Sequence, residues 1–108
     1  MDKTFDHQQL DEFLHSRIRL AIMSILATVN EIEFNVLKKE VNTTDGNLSV
    51  HLKKLEEKKY VSIKKGYAGR KPLTTASITE EGLSALENYY KIIEGFLRSE
   101  RREVKDGK

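Results

Sequence analysis

The three histidines, at positions 7, 15 and 51, are the first side chains to weigh for chemistry. His7, Asp11 and His15 follow one another at four-residue intervals, so on an α-helix their donors share one face and would suit a divalent metal. Phe5, Leu10 and Phe13 stand beside them, which reads instead as the solvated edge of a packing helix, and no metal site is assigned. The chain has no cysteine, hence no thiolate ligand, disulfide or sulfur nucleophile. It also lacks a glycine-rich phosphate loop and a His-Glu-x-x-His pair. These residues lead us to expect no enzyme activity and no cofactor.

Between Gly46 and Lys59 the residue types point to binding rather than turnover. Leu48, Leu52 and Leu55 recur at helical spacing and define one narrow apolar stripe. At about 100° per residue, the opposite arc carries Gly46, Asn47, Val50, Lys53 and Lys54, with Ser49 and His51 at its edges. This arc is small, polar and basic, and it sets hydrogen-bonding groups beside flexible cations, as polyanion recognition requires. The net charge of the chain is only +2, but residues 38–71 hold ten basic and four acidic side chains, which leaves −4 for the remainder. A basic centre between acidic flanks fits a phosphate-facing middle; on charge alone it fits a solvated lysine face equally well.

The elements that must position this arc can be read from the rest of the chain. Its 108 residues suit one domain, and 38% hydrophobic residues suffice for a small core, so wholesale disorder is not expected. The longest run without Asp, Glu, Lys or Arg is Leu20 to Asn30, far short of the roughly 20 apolar residues a membrane span needs. Met1 to Asp6 are mixed in charge and unlike a signal peptide, so the expected location is cytoplasmic, with no membrane partner.

Leu10, Phe13 and Leu14 predict a short amphipathic helix over Gln8–Leu14. Ser16 then caps a second helix whose apolar stripe is Ile18, Ala21, Ile22, Ile25, Leu26 and Val29. Ile32 to Phe34 reads as a short strand, and Asn35 as the cap of a helix over Val36–Val41. Asn42 to Gly46 is a tight turn, and the polar arc lies on the helix that follows it. Two β-rich runs, Tyr60–Lys65 and Leu73–Ile78, flank a glycine-rich basic loop, Gly66–Pro72, and make a hairpin. Thr79 caps the last helix, in which Leu83, Leu86, Tyr90, Ile93 and Leu97 form a heptad-like seam widened by Tyr89, Ile92 and Phe96. Of that seam, Leu83 and Leu86 are expected in the core. Residues 99–108 are expected to be a disordered tail.

This order is an α+β, mainly α arrangement: a winged helix-turn-helix core over residues 16–79, preceded by an N-terminal helix (residues 1–15) and followed by a long C-terminal helix (80–98) suited to dimerisation. The segment from His15 to Gly82 resembles the winged-helix transcriptional regulators of the MarR and ArsR type. The resemblance rests on Arg19 to Leu26, the strand at Phe34, Thr44 to Glu56, Tyr60-Val61, Gly69-Arg70-Lys71-Pro72 and Ile78 to Gly82, in that order. It implies that the helix of about residues 44–59, above all Thr44 to Lys54, reads DNA, that the wing is Lys64 to Lys71, and that the flanking helices pair in a homodimer. The chain departs from the metal-sensing members, having no Cys and no His in its last helix.

The expected function is therefore a sequence-specific double-stranded DNA-binding transcriptional regulator, a repressor, acting as a homodimer on a palindromic operator. Asn47 suits adenine, Ser49 a base or phosphate, and Val50 a thymine methyl, while Gly46 lets the backbone approach and Thr44 opens the helix. Lys53, Lys54 and Lys65 suit phosphates, and Arg70 and Lys71 suit the minor groove or its phosphates. His51 either reaches a phosphate or supports the helix from a half-buried position. Phe5, Leu10, Phe13, Leu14, Tyr89, Tyr90, Ile93, Phe96 and Leu97 are the expected dimer interface. A crevice lined by Tyr89, Tyr90 and Phe13 would be the place for a small effector, if binding needs one. The competing reading is a winged helix used for protein or RNA contact.

Overall fold

The structure, a computed structural model, describes residues 6–101, with side chains to residue 98. Four α-helices and a three-stranded antiparallel sheet follow in the order α1 (Arg17–Leu26), β1 (Ile32–Glu33), α2 (Phe34–Val41), α3 (Asp45–Glu57), β2 (Val61–Ala68), β3 (Lys71–Ile78) and α4 (Glu80–Arg101). The sheet order is β1-β3-β2, with Ile32 opposite Ala76 and Val61 opposite Ile78. Among the described residues no helix is long and apolar enough to cross a membrane.

Local chemistry fixes each boundary. The Ser16 hydroxyl accepts from the Arg19 amide (3.3 Å), the Thr44 hydroxyl from that of Asn47 (3.1 Å), and the Thr79 hydroxyl from that of Gly82 (2.9 Å), so three of the four helices begin on a side-chain cap. α2 and α3 both end on a left-handed residue, Asn42 (φ 62°) and Lys59 (φ 68°). In each, the following amide reaches back five residues, Thr43 to the Lys38 carbonyl and Tyr60 to that of Leu55, which closes a Schellman motif. Asn tolerates this conformation; Lys59 holds it because Thr79 clamps the turn, donating its hydroxyl to the Lys59 carbonyl (2.7 Å) and its amide to that of Tyr60 (3.0 Å).

The core gathers Ile22, Met23 and Leu26 of α1, Leu37 of α2, Leu48, Leu52 and Leu55 of α3, Val61 and Ala76 of the sheet, and Leu86 and Tyr89 of α4. Val29 is exposed, because α1 ends at Leu26.

Several expected elements take another form. Gln8–Leu14 is not an α-helix: His7–Gln9 make one 3₁₀ turn and Asp11 nucleates a second tight turn, its Oδ1 accepting from the amides of Phe13 (2.9 Å) and Leu14 (3.3 Å). His7, Asp11 and His15 therefore share no helical face, and the other Asp11 oxygen accepts from the Tyr60 hydroxyl (2.7 Å). Asn35 does not cap α2; the helix starts at Phe34 after Glu33, with no side-chain cap. The hairpin loop is only Gly69-Arg70, since Gly66, Tyr67 and Ala68 stay paired with Leu73, Pro72 and Lys71. Gly69 alone there has a positive φ (67°), the pattern of a two-residue type II′ turn. α4 runs to Arg101, past the expected end, and the rest of the expected tail lies outside the described residues.

Candidate nucleic-acid interface

With Leu48, Leu52 and Leu55 buried, the opposite side of α3 is presented to solvent. Gly46, Asn47, Ser49, Val50, Lys53 and Lys54 are all exposed, and a Cβ on Gly46 would meet nothing within 4 Å. The Asn47 side-chain carboxamide makes no hydrogen bond among the described residues, its backbone amide being held by Thr44, and Val50 is 53% exposed. Thr44 is exposed, its hydroxyl oxygen accepting the helix cap bond. Asp45, the acidic residue at the start of α3, is paired with Lys38 of α2 at 2.7 Å. Lys53 and Lys54 make no ion pair among the described residues, so their charges face outward.

The hairpin supplies the second cationic surface. From Lys58 to Thr79 there are six basic residues and no acidic one. Strand alternation sorts them: Lys65 shares the core-side face with Val61 and Ile63, Lys64 and Lys71 lie on the other, and Arg70 sits in the turn. Lys64 reaches Glu31 at 3.8 Å, whereas Lys65 and Arg70 have no such partner among the described residues. Lys65 and Thr74 face Ser49 and Lys53 across an open groove of about 690 Å³, so hairpin and α3 form one continuous surface.

His51 is half-buried, and its Nδ1 lies 3.1 Å from Arg19 Nη1. Arginine only donates, so Nδ1 accepts and Nε2 carries the proton of the neutral ring. Arg19 also donates from Nε to the Phe13 carbonyl (2.7 Å) and stacks over the Phe13 ring at 4.4 Å. It thereby ties α3 to the N-terminal segment. Burial, then the Arg19 and Lys54 charges, hold the His51 imidazolium below its ordinary value of about 6.5. Tyr60 anchors the same segment through Asp11, and burial with that bond pushes its phenol up to about 12.

His51 thus makes stability pH-dependent. Its folded-state value lies below the unfolded one, so the unfolded chain takes up the proton first. The stability contributed by the neutral ring is complete above about pH 6.5 and is lost as pH falls through the folded-state value. The gap in urea midpoint between wild type and His51→Gln should be constant above neutrality and shrink as the pH falls below about 6.5; a gap that does not move there removes the assignment.

The expected dimer residues divide. Leu14 (0% exposed) and Tyr89 (5%) are buried within the chain's own core, and Leu10, Phe13 and Ile93 pack against it. Tyr89 also bonds His15 Nδ1 through its hydroxyl (2.7 Å). Leu14 and Tyr89 therefore offer almost no free surface to a partner, while Leu10, Phe13 and Ile93 are half-buried. Phe96 is half-buried, and Phe5 lies outside the described residues. Leu83, expected inside, is 37% exposed and aligns at seven-residue intervals with Tyr90 (46%) and Leu97 (55%) along an exposed edge of α4, where the Tyr90 and Ser24 hydroxyls share a hydrogen bond (2.8 Å). The seam splits because the core takes the Gly82, Leu86, Tyr89 and Ile93 line, one residue out of step. Phe13 packs on Tyr60, and Tyr90 lines a groove of about 550 Å³ with Ser24, Ala27 and Leu83.

Arg19 and Tyr67 were not singled out by the sequence as site residues. The contact of Arg19 with His51 joins residues 32 apart and has no local signal. Tyr67 is 74% exposed on β2, and extending the alternation Val61, Ile63, Lys65 by one step reaches it.

A helix pair joined by a tight turn, a second helix with a free polar and basic face, and a basic hairpin beside it define a winged-helix DNA-binding protein. The chain belongs to the winged helix DNA-binding domain family, which it matches over residues 18–97. It is 40% identical over 84 residues to the uncharacterized protein MJ0432 of Methanocaldococcus jannaschii, covering 77% of this chain and 91% of that one. Its fold matches a transcriptional regulator homologue from Pyrococcus horikoshii with a TM-score of 0.82 and 25% identity, over 94% of this chain and 99% of that chain. A MarR-family transcriptional regulator from Silicibacter pomeroyi shares the fold at a TM-score of 0.61 and 14% identity, over 94% of this chain and 66% of its own.

Proposed function

We propose that this protein is a sequence-specific, double-stranded DNA-binding transcriptional regulator that acts as a homodimer and, by occupying its operator, as a repressor. One observation carries the reading: the exposed arc of α3 and the acid-free hairpin form a single surface mainly of small, polar and basic side chains, with Glu56 in the groove between them. α3 enters the major groove, where Asn47, Ser49 and Val50 meet base edges and Gly46 admits the backbone. Lys53, Lys54, Lys65 and Lys71 neutralise phosphates, and Arg70 at the turn reaches the adjacent minor groove. His51 acts through Arg19, setting the pitch of α3.

The second subunit docks on α4. Leu83, Tyr90 and Leu97 present an apolar line of about 21 Å at a rise of 1.5 Å per residue. The radius of gyration, 17.4 Å, exceeds the roughly 13 Å of a compact chain of 100 residues, consistent with α4 extending beyond the core. Two reading helices related by a two-fold axis require half-sites about one helical turn apart.

The test is an anisotropy titration against a random-sequence duplex pool at two salt concentrations, followed by sequencing of the retained fraction. A palindrome should be enriched, and affinity should fall with salt at a log–log slope of about −0.9 per phosphate contact. No retention at low salt would overturn the reading.

A further inference from the structure

The core-side face of the hairpin continues past the edge of the core. Its successive cross-strand pairs are Val61 with Ile78, Ile63 with Ala76, Lys65 with Thr74, and Tyr67 with Pro72. Val61 (3% exposed) and Ala76 (2%) are buried, Lys65 and Thr74 look across the groove at α3, and Tyr67 is 74% exposed. Tyr67 therefore lies one rung, about 7 Å, beyond the groove and on the side of the hairpin that α3 occupies. It makes no hydrogen bond or ring contact among the described residues. A large aromatic group is held out on a stiff two-residue hairpin, opposite the fixed backbone of Pro72, and stays 74% exposed.

The charge around it selects the partner. Tyr67 lies midway along the 22-residue stretch that has six basic residues and no acidic one, with Lys65 on its own face and Arg70 in the turn. An acidic or zwitterionic surface would satisfy the cations alone, but the continuity of this face with the reading arc of α3 places a duplex next to it. We propose that Tyr67 is a DNA-contacting residue: its ring, backed by Pro72, wedges into the minor groove beside the major-groove site of α3 and packs on deoxyribose and base edges, with Lys65 and Arg70 holding the flanking phosphates. This rests on the regulator reading above and extends it by a non-ionic anchor, a contact of a different kind from those of the lysines.

The sequence contains no tryptophan, so Tyr67→Trp introduces a single indole at the wing. The probe is a fluorescein-labelled, mixed-sequence duplex of about three helical turns at low salt. Tyr67→Ala should bind it about tenfold more weakly than wild type with an unchanged salt slope, because no counterion release is lost. Tyr67→Phe should bind like wild type, and the Tyr67→Trp emission should be quenched when unlabelled duplex is added. Because the Tyr67 side chain is 74% exposed and makes no hydrogen bond or ring contact among the described residues, all three variants should keep the wild-type far-UV circular dichroism. If wild type binds while Tyr67→Ala matches it and the indole emission does not move, the wedge is wrong and the regulator reading stands. If wild type itself does not bind, the regulator reading fails and the wedge with it.

Discussion

Replacing Gly82 by alanine should lower stability by about 3 kcal/mol, at the upper end of overpacking costs, a large share of the 5–15 kcal/mol that hold a domain of this size. Gly82 lies in the first turn of α4 with an ordinary helical backbone, so alanine is welcome there on propensity alone. Space forbids it. An added Cβ would fall far inside contact distance of the Tyr60 carbonyl and 3.0 Å from Met23 Cε. Met23 can swing aside, but the carbonyl cannot, because it already accepts the Thr79 amide. Gly95→Ala on the same helix is the control: its Cβ would meet nothing within 4 Å, and it should raise stability by about 0.5–1 kcal/mol. Urea midpoints at fixed protein concentration, followed by circular dichroism, check both; two shifts of the same sign would refute the packing argument.

On the proposed function, Asn47→Ala combined with Arg70→Ala should weaken operator binding about 100-fold or more, near 3 kcal/mol at 1.4 per decade. The two single variants should differ in kind. Asn47→Ala removes a base-edge contact, so discrimination between operator and random duplex falls while the salt slope stays. Arg70→Ala removes a cation from the wing, so the slope should become shallower by about 0.9. The residues sit on separate elements and their effects should add. Titrations at several salt concentrations separate these signatures, and operator binding undiminished in the double variant would mean the reading surface lies elsewhere.

The sequence disclosed what depends on local periodicity. Leu48, Leu52 and Leu55 are spaced to bury one face of α3, and burying them presents Asn47, Ser49 and Lys53 outward. Ser16 and Thr79 were legible because an N-cap needs only the next three residues, whereas Thr44, the cap of α3, was read only as part of the turn and of the DNA-reading helix. The failures share a cause in tertiary packing. Leu10, Phe13 and Leu14 have helical spacing, yet Asp11 uses its side chain to close a tight turn and to hold Tyr60, 49 residues away, and the segment packs without becoming a helix. The seam of α4 was read as one stripe because periodicity cannot tell which edge meets the core; Gly82, with no side chain to join the stripe, decides it by letting the helix approach Tyr60. Glycine and proline between Gly66 and Pro72 suggested a loop, although eight cross-strand pairs, from Val61 with Ile78 to Ala68 with Lys71, carry the ladder to the Gly69-Arg70 turn.

The close seat of Gly82 on the Tyr60 carbonyl also gives α4 a pivot. Thr79 and Gly82 fasten its first turn to the turn that ends α3, and from there the helix runs on for 19 residues, about 29 Å. A tilt of about 10° at that fulcrum sweeps the far end through about 5 Å, on the same rise per residue. Read from the other end, a displacement of about 4 Å near Leu97, roughly 22 Å along the helix from Gly82, corresponds to a rotation of about 10° at the turn that ends α3.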